Sequence, residues 1–278
     1  YKRQRARSRH KKGAVPGGGS ELGPRFVEPL ATTLLLRSDG AAIGSKGDVM
    51  RSVVAVTILA ALVAGCADQR SLYDASIRDT AVYTSAHVQT LTPLSYPVQA
   101  ANVTTYSDWA EGQIGKTVAL ARDTWITVEP EVQQACRTFP QADMVERLYQ
   151  LLGLKPATPQ DAPKVVQLTI AEPQPIGPTG KGIFRPCADP DPTATSCGNT
   201  LKGPDSYAAW FSTQALGSYR VDATIKDTGY PWSRLGYTWN WNPTSPDHRG
   251  AQEYVVPKGT LVTIRAVVPV ATYCAAGG

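Results

Sequence analysis

The sequence predicts an α+β fold: a mostly antiparallel β-sheet or small sandwich with about two helices, inferred from three observations. From residue 106 onward, runs of β-branched and aromatic residues outnumber segments of helical periodicity. Most of these runs end at Pro or Gly, which punctuate strands. Only two segments read as helices, one from apolar residues at helical spacing and the other from capping residues at its ends.

The strand candidates are TWITVEP (124–130), VVQLTIAE (165–172), SYRVDATI (218–225), LGYTWNWN (235–242), EYVV (253–256) and TLVTIRAVVPV (260–270). EYVVPKGTLVTI is expected to be a hairpin, because Pro257 presets φ for a turn and Gly259 accepts a positive φ at its exit. The first helix is predicted in ADMVERLYQLLGL, where Met144, Val145, Leu148, Leu151 and Leu152 share a face and Gly153 stands at the C-terminal cap. The second is predicted in DSYAAWFSTQALG, with Asp205 or Ser206 as N-cap and Gly217 beyond its end.

Ahead of this body lie three segments of different character. Residues 1–49 open with YKRQRARSRHKKGAVPGGGS, carry little apolar periodicity and are expected to be a disordered basic leader. Residues 50–65 begin MRSVVAV and join a cationic start to an apolar middle and small residues before Cys66, the build of an export signal. Its apolar stretch, Val53 to Ala64, covers only about 18 Å as a helix, too short for a bilayer core of roughly 30 Å. Residues 66–105 are polar and weakly patterned and read as a flexible tether, with a root-mean-square span of about 35 Å if disordered. Residues 106–278 then form the globular domain, long enough for one substantial core.

Leu62-Val63-Ala64-Gly65-Cys66 resembles the lipobox of bacterial lipoproteins, the substrates of signal peptidase II. The resemblance implies acylation of the Cys66 thiol, cleavage just before it, and a protein held at the membrane of the bacterial cell envelope by lipid on Cys66. It also implies that Met50 is the true initiator, or that residues 1–49 are a long leader removed with the signal. The pieces TWITV, FRPC and YPWSRLGYTWNW resemble uncharacterised bacterial exported proteins, which brings no activity with it.

Charge follows the same division. The whole chain has 28 Lys plus Arg against 23 Asp plus Glu, net +5. Residues 1–49 hold ten of the basic and four of the acidic residues and Arg51 is an eleventh cation, which leaves 17 basic and 19 acidic residues from Cys66 onward, net −2. The basic character belongs to the leader, and nucleic acid is not expected as a partner. Setting Cys66 aside leaves four of the five cysteines, Cys136, Cys187, Cys197 and Cys274, enough for two disulfides in an exported protein. Three pairings are possible. The favoured one joins Cys187 to Cys197 across a Pro- and Asp-rich loop and Cys136 to Cys274 at the C-terminus. A zinc site is not expected, since no C-x-x-C occurs and the mature chain has only His87 and His248.

Motifs for catalysis are weak. GQIGKT (112–117) lacks the earlier glycine of a phosphate-binding loop, with Ala110 in its place, and leads toward a strand. CADPDPTATSCGN (187–199) carries Asp189 and Asp191, but Ala194 and Thr200 stand where a calcium loop needs Gly and Glu. No G-x-S-x-G or H-E-x-x-H is present, and Asp247 beside His248 gives no orientation toward a nucleophile. Glu129, Glu131 and Glu253 could serve a glycosidase only if two of them face each other across a sugar, which spacing does not show. No cofactor is implied.

GYPWSRLGYTWNWNP (229–243) is the one unusual concentration, with Tyr230, Trp232, Tyr237, Trp239 and Trp241 as candidate ligand-binding residues. In a strand, Tyr237, Trp239 and Trp241 share one face and Thr238, Asn240 and Asn242 the other. Such a row stacks on sugars or peptides when exposed and forms core when buried. Core is expected for Trp239, with Thr238 and Asn240 then exposed and Tyr230 and Trp232 the more accessible aromatics beside Pro231. The expected function is a lipid-anchored cell-envelope protein with a non-catalytic binding or structural role, its partners envelope proteins or glycan. A cell-wall or glycan-processing enzyme is the alternative, and a component of a multiprotein envelope machine a further one. Opposed carboxylates in a cleft lined by Trp239 and Trp241 would favour the enzyme; a buried aromatic row without a cleft would favour the scaffold.

Overall fold

A computed structural model describes residues 69–221 and 228–275 of the chain. Residues 1–68, which include the expected leader, the expected export signal and Cys66, lie outside the described residues. Among the described residues, seven strands form a single sheet: β1 (Val98–Thr104), β2 (Thr117–Ala119), β3 (Thr124–Val128), β4 (Lys164–Ile170), β5 (Tyr237–Trp239), β6 (Arg249–Val256) and β7 (Leu261–Pro269). Their spatial order is β2-β7-β4-β1-β3-β6-β5, and every neighbouring pair is antiparallel. The predicted α+β class is therefore the class observed, as one sheet and not a sandwich. Six helices accompany it among the described residues, most of them short: α1 (69–81), α2 (Asp108–Glu111), α3 (Glu131–Cys136), α4 (Met144–Leu151), α5 (Asp205–Ser218) and α6 (Val270–Ala275).

Alternation along the strands builds a separate core on each face. On β4, Val166, Leu168 and Ile170 join Val98, Ala100, Ile126, Val262 and Ile264 on one side. Val165 turns to the other, where it meets Ala101, Val132, Leu148, Val270 and Tyr273 from α3, α4, α6 and the sheet. Met144 and Leu148 anchor α4 to that face, and Gly153, at φ +66°, ends the helix as its position predicts. Both disulfides form with the expected pairing: Cys136–Cys274 ties α3 to α6, and Cys187–Cys197 clips a loop.

Four expectations are corrected. Residues 66–105 are not a tether where they are described, because α1 buries Tyr73 and Ile77 completely and β1 lies at the centre of the sheet. The polar look of α1 hid a narrow apolar stripe, and β1, rich in Ala, Gln and Asn, has little strand propensity of its own. EYVVPKGTLVTI is not a hairpin. The chain does turn there, with Gly259 at φ +88°, but β6 pairs with β3 and β5 while β7 pairs with β4 and β2. The long register of β7 on β4, from Lys164 opposite Pro269 to Thr169 opposite Thr263, takes precedence over the local turn. SYRVDATI is not a strand at its start, since Ser218 closes α5, and its residues 222–225 lie outside the described residues. Finally, Pro204 occupies the N-cap position of α5, Ser206 instead donates to the Pro178 carbonyl at 2.6 Å, and Gly217 falls within the helix.

No helix among the described residues is long and apolar enough to cross a membrane. The two disulfides point to an oxidising, extracytoplasmic environment.

Candidate functional site

Register places Ala101 of β1 opposite Thr127 of β3, and Thr127 opposite Glu253 of β6. The three side chains thus form one row across adjacent strands, with Val103 and Trp125 displaced by two residues on the same face. This row floors a cavity of about 950 Å³. The segment after α4 supplies a wall through Leu152, Leu154 and Pro156, Tyr149 adds to it from α4, and Tyr230 and Gln214 of α5 supply another. Arg70 and Tyr73 of α1 complete the lining.

Each wall is held by contacts that the local sequence explains. Asn102, pointing away from the Ala101 row, donates to the Trp125 carbonyl at 2.8 Å and fixes β1 against β3. The Tyr230 hydroxyl is bonded by the Gln214 amide, and its ring meets Trp125 edge-on with centroids 5.9 Å apart. Tyr73 donates to the Gly229 carbonyl at 3.0 Å, so α1 braces the segment that carries Tyr230. Arg70 is ion-paired to Asp74 and donates to Thr228 at 3.1 Å. Burial, with Asp161 beside it, pushes the Tyr149 hydroxyl up to about 12.

Glu253 is the unusual member. It lines the cavity, is only 7% exposed, and its Oε1 is shielded from solvent with no hydrogen-bond partner among the described residues. Burial alone pushes its carboxyl up to about 8, so near neutral pH the group is largely protonated. A carboxyl of this kind can donate a hydrogen bond as an acid or, once ionised, seat a cation. Glu129 and Glu131 do not line the cavity. Glu129 accepts from Gln167 at 2.6 Å and pairs with Arg265, and Glu131 accepts the Gln252 amide at 3.1 Å with its pKa raised by burial. The second carboxyl on the lining is Asp161, whose oxygens accept the Thr158 hydroxyl at 2.9 Å and amide at 3.1 Å.

The aromatic concentration divides. Tyr230 lines the cavity, but Trp232, Tyr237, Trp239 and Trp241 do not. Trp239 is buried, as expected, and it lies flat against His248 at 4.8 Å while His87 meets it edge-on at 5.0 Å. Trp241 packs with Tyr73 of α1, and its Nε1 donates to the Leu154 carbonyl at 2.8 Å. Tyr237 packs instead with the Cys187–Cys197 bridge, because a bulge between Tyr237 and Trp239 breaks the regular alternation. Trp232 is not accessible: it is buried among α5 aromatics and donates to the Pro186 carbonyl at 2.9 Å. Thr238 and Asn240 are buried too, and not exposed, since α4 and the loop to β6 cover that side of the strand. Thr238 donates to the Leu151 carbonyl at 2.6 Å, and the Asn240 amide donates to the His248 carbonyl at 2.8 Å.

Asp189 and Asp191 are engaged in their loop: Asp189 pairs with Lys202 at 2.7 Å, and Asp191 accepts the Thr193 hydroxyl at 2.7 Å. Among the described residues no group of His, Cys, Asp and Glu is arranged to hold a metal ion. Sequence reasoning missed Trp125, Tyr149 and the position of Glu253. The available signal was Glu253 itself, the one charge in AQEYVV, in step with Ala251 and Val255 on a strand bounded by apolar residues. No protein-family model, curated protein or solved structure matches the chain.

Proposed function

We propose that the protein is an exported, lipid-anchored domain of the bacterial cell envelope that binds a small ligand in this cavity without transforming it. The observation that carries the binding role is a cavity of about 950 Å³ lined by Trp125, Tyr230, Tyr149 and aliphatic side chains around one buried carboxyl. That combination, apolar walls with few converging polar groups, is the usual build of a small-molecule site. Export is supported by the two disulfides, and anchoring rests on the lipobox-like Leu62–Cys66.

One observation favours the glycan-processing alternative: Asp161 and Glu253 both line the cavity. Against it, both Asp161 oxygens are taken by Thr158, which ties that carboxylate into a turn.

Native mass spectrometry of the protein taken from its own membrane fraction tests the binding role. A bound small molecule, released unchanged and lost from Val103→Trp, whose ring fills the cavity, is the expected result. Conversion of the ligand on incubation would overturn the non-catalytic reading. Detergent phase partition tests the anchor: wild type should enter the detergent phase and Cys66→Ala should not, whereas wild type that is intact from residue 1 and water-soluble would sink it.

A further inference from the structure

Three features of the cavity favour positive charge at one end of it. Glu253 has an unpartnered buried oxygen, and among the described residues no cationic side chain forms an ion pair or hydrogen bond with it. Trp125 and Tyr230 stand on the same lining, and aromatic faces attract cations through their quadrupoles. The two cations that line the cavity are elsewhere engaged or exposed: Arg70 is paired with Asp74, and Lys155 is exposed. Val103, Leu152, Leu154 and Pro156 give the lining an apolar stretch, beside polar positions that include Thr104, Thr158 and Asp161.

We infer that the ligand is a lipophilic amine, its ammonium group seated against the Glu253 carboxylate beside Trp125 and Tyr230 and its apolar body lying along Leu152 and Leu154. The inference rests on the reading of the cavity as a ligand site and adds the chemistry of the ligand. An ammonium N–H supplies the partner that the Glu253 oxygen lacks, and an apolar body fills the remaining volume without leaving polar groups unpaired.

Binding then carries a proton balance. The free protein holds Glu253 mostly as the neutral acid at neutral pH. Seating R–NH3+ forms the carboxylate–ammonium pair and sends the carboxyl proton to solvent, so one proton is released for each amine bound. The other titratable groups around Glu253 are the phenols of Tyr230 and Tyr219, whose ionisation its charge opposes, with Arg234 over the Tyr219 ring. Tyr149, Tyr73 and Asp161 complete the titratable lining. Burial raises Tyr149, Tyr219 and Tyr230 well above neutrality, which leaves Glu253 as the buried acid that releases a proton in this range.

Titration calorimetry with phenethylamine and its uncharged counterpart phenethyl alcohol decides the matter. The amine should bind at least about tenfold more tightly than the alcohol at pH 8, and its affinity should rise about tenfold per pH unit from pH 6 toward the Glu253 midpoint, with proton release seen as a buffer-dependent heat. Glu253→Gln should level the two ligands; if that variant does not fold, the wild-type pH profile alone decides. Equal affinity for amine and alcohol, or an amine affinity flat across that range, would overturn the amine while leaving the ligand site standing. Failure of both ligands to bind overturns the ligand site and the amine with it.

Discussion

Thr127 and Glu253 stand opposite each other on β3 and β6, which sets an unpartnered carboxyl into the floor of a cavity instead of at the edge of the sheet. The pairing is antiparallel and continues through Ala101 of β1, so the position of Glu253 is fixed by three strands at once.

Stability should fall as pH rises through the range that Glu253 governs. Its folded-state pKa, about 8, lies above the ordinary carboxylate value of 4.5, so between those values the folded protein keeps a proton that the unfolded chain has released. The contribution is fully present below the unfolded value and is lost as pH climbs toward about 8. Glu131 and Glu146, also raised by burial, act in the same direction. Glu253→Gln should therefore raise the melting temperature at alkaline pH and change it little at pH 5. A gain of the same size at both pH values would refute this origin.

Trp239 is expected to behave as core. Its ring is held between His248 and His87 and packs with Tyr73, Ile77 and Trp241 beneath α1. Trp239→Ala should cost about 3–5 kcal/mol in urea denaturation, because the surrounding side chains cannot close over the space. The same substitution should leave the affinity of any cavity ligand unchanged once the folded fraction is allowed for.

The long-range bridge should stabilise more than its position at the chain end suggests. Cys136 and Cys274 are separated by 138 residues and join α3 to α6. Replacing both with Ala should lower stability by about 2–5 kcal/mol, measured as a shift in denaturant midpoint. Peptide mapping without reduction should recover Cys136 with Cys274 and Cys187 with Cys197. Free thiols at all four positions would contradict the oxidising environment.

Gly250 permits a close approach of the end of α4 to the sheet. A Cβ there would lie 2.1 Å from the Thr238 hydroxyl and 2.2 Å from the Leu151 carbonyl, the pair whose hydrogen bond joins β5 to the end of α4. Gly250→Ala must push these groups apart, with a cost on the order of 2–3 kcal/mol from overpacking. Gly112→Ala, where a Cβ meets nothing within 4 Å, is the control and should be close to neutral.

The sequence by itself determined the class of fold, helices α4 and α5 and five of the strands in whole or part, and it favoured, among three possible pairings, the one that joins Cys187 to Cys197 and Cys136 to Cys274. Local physics suffices there: Met144 and Leu148 repeat at helical spacing, and TWITV and VVQLTI are strongly β-branched. Tertiary structure decided what local signals could not carry. β1 is a central strand although Ala, Gln and Asn give it little propensity, because β3 and β4 pair with it from both sides. β6 and β7 turn apart from a good hairpin sequence, β6 pairing with β3 and β5 and β7 with β4 and β2. The cavity is decided in the same way. Ala101, Thr127 and Glu253 lie far apart in the chain, and only the register of β1, β3 and β6 brings them into one row. Burial by α4, α5 and the Tyr230 segment then turns an ordinary glutamate into an acid that holds its proton near neutral pH.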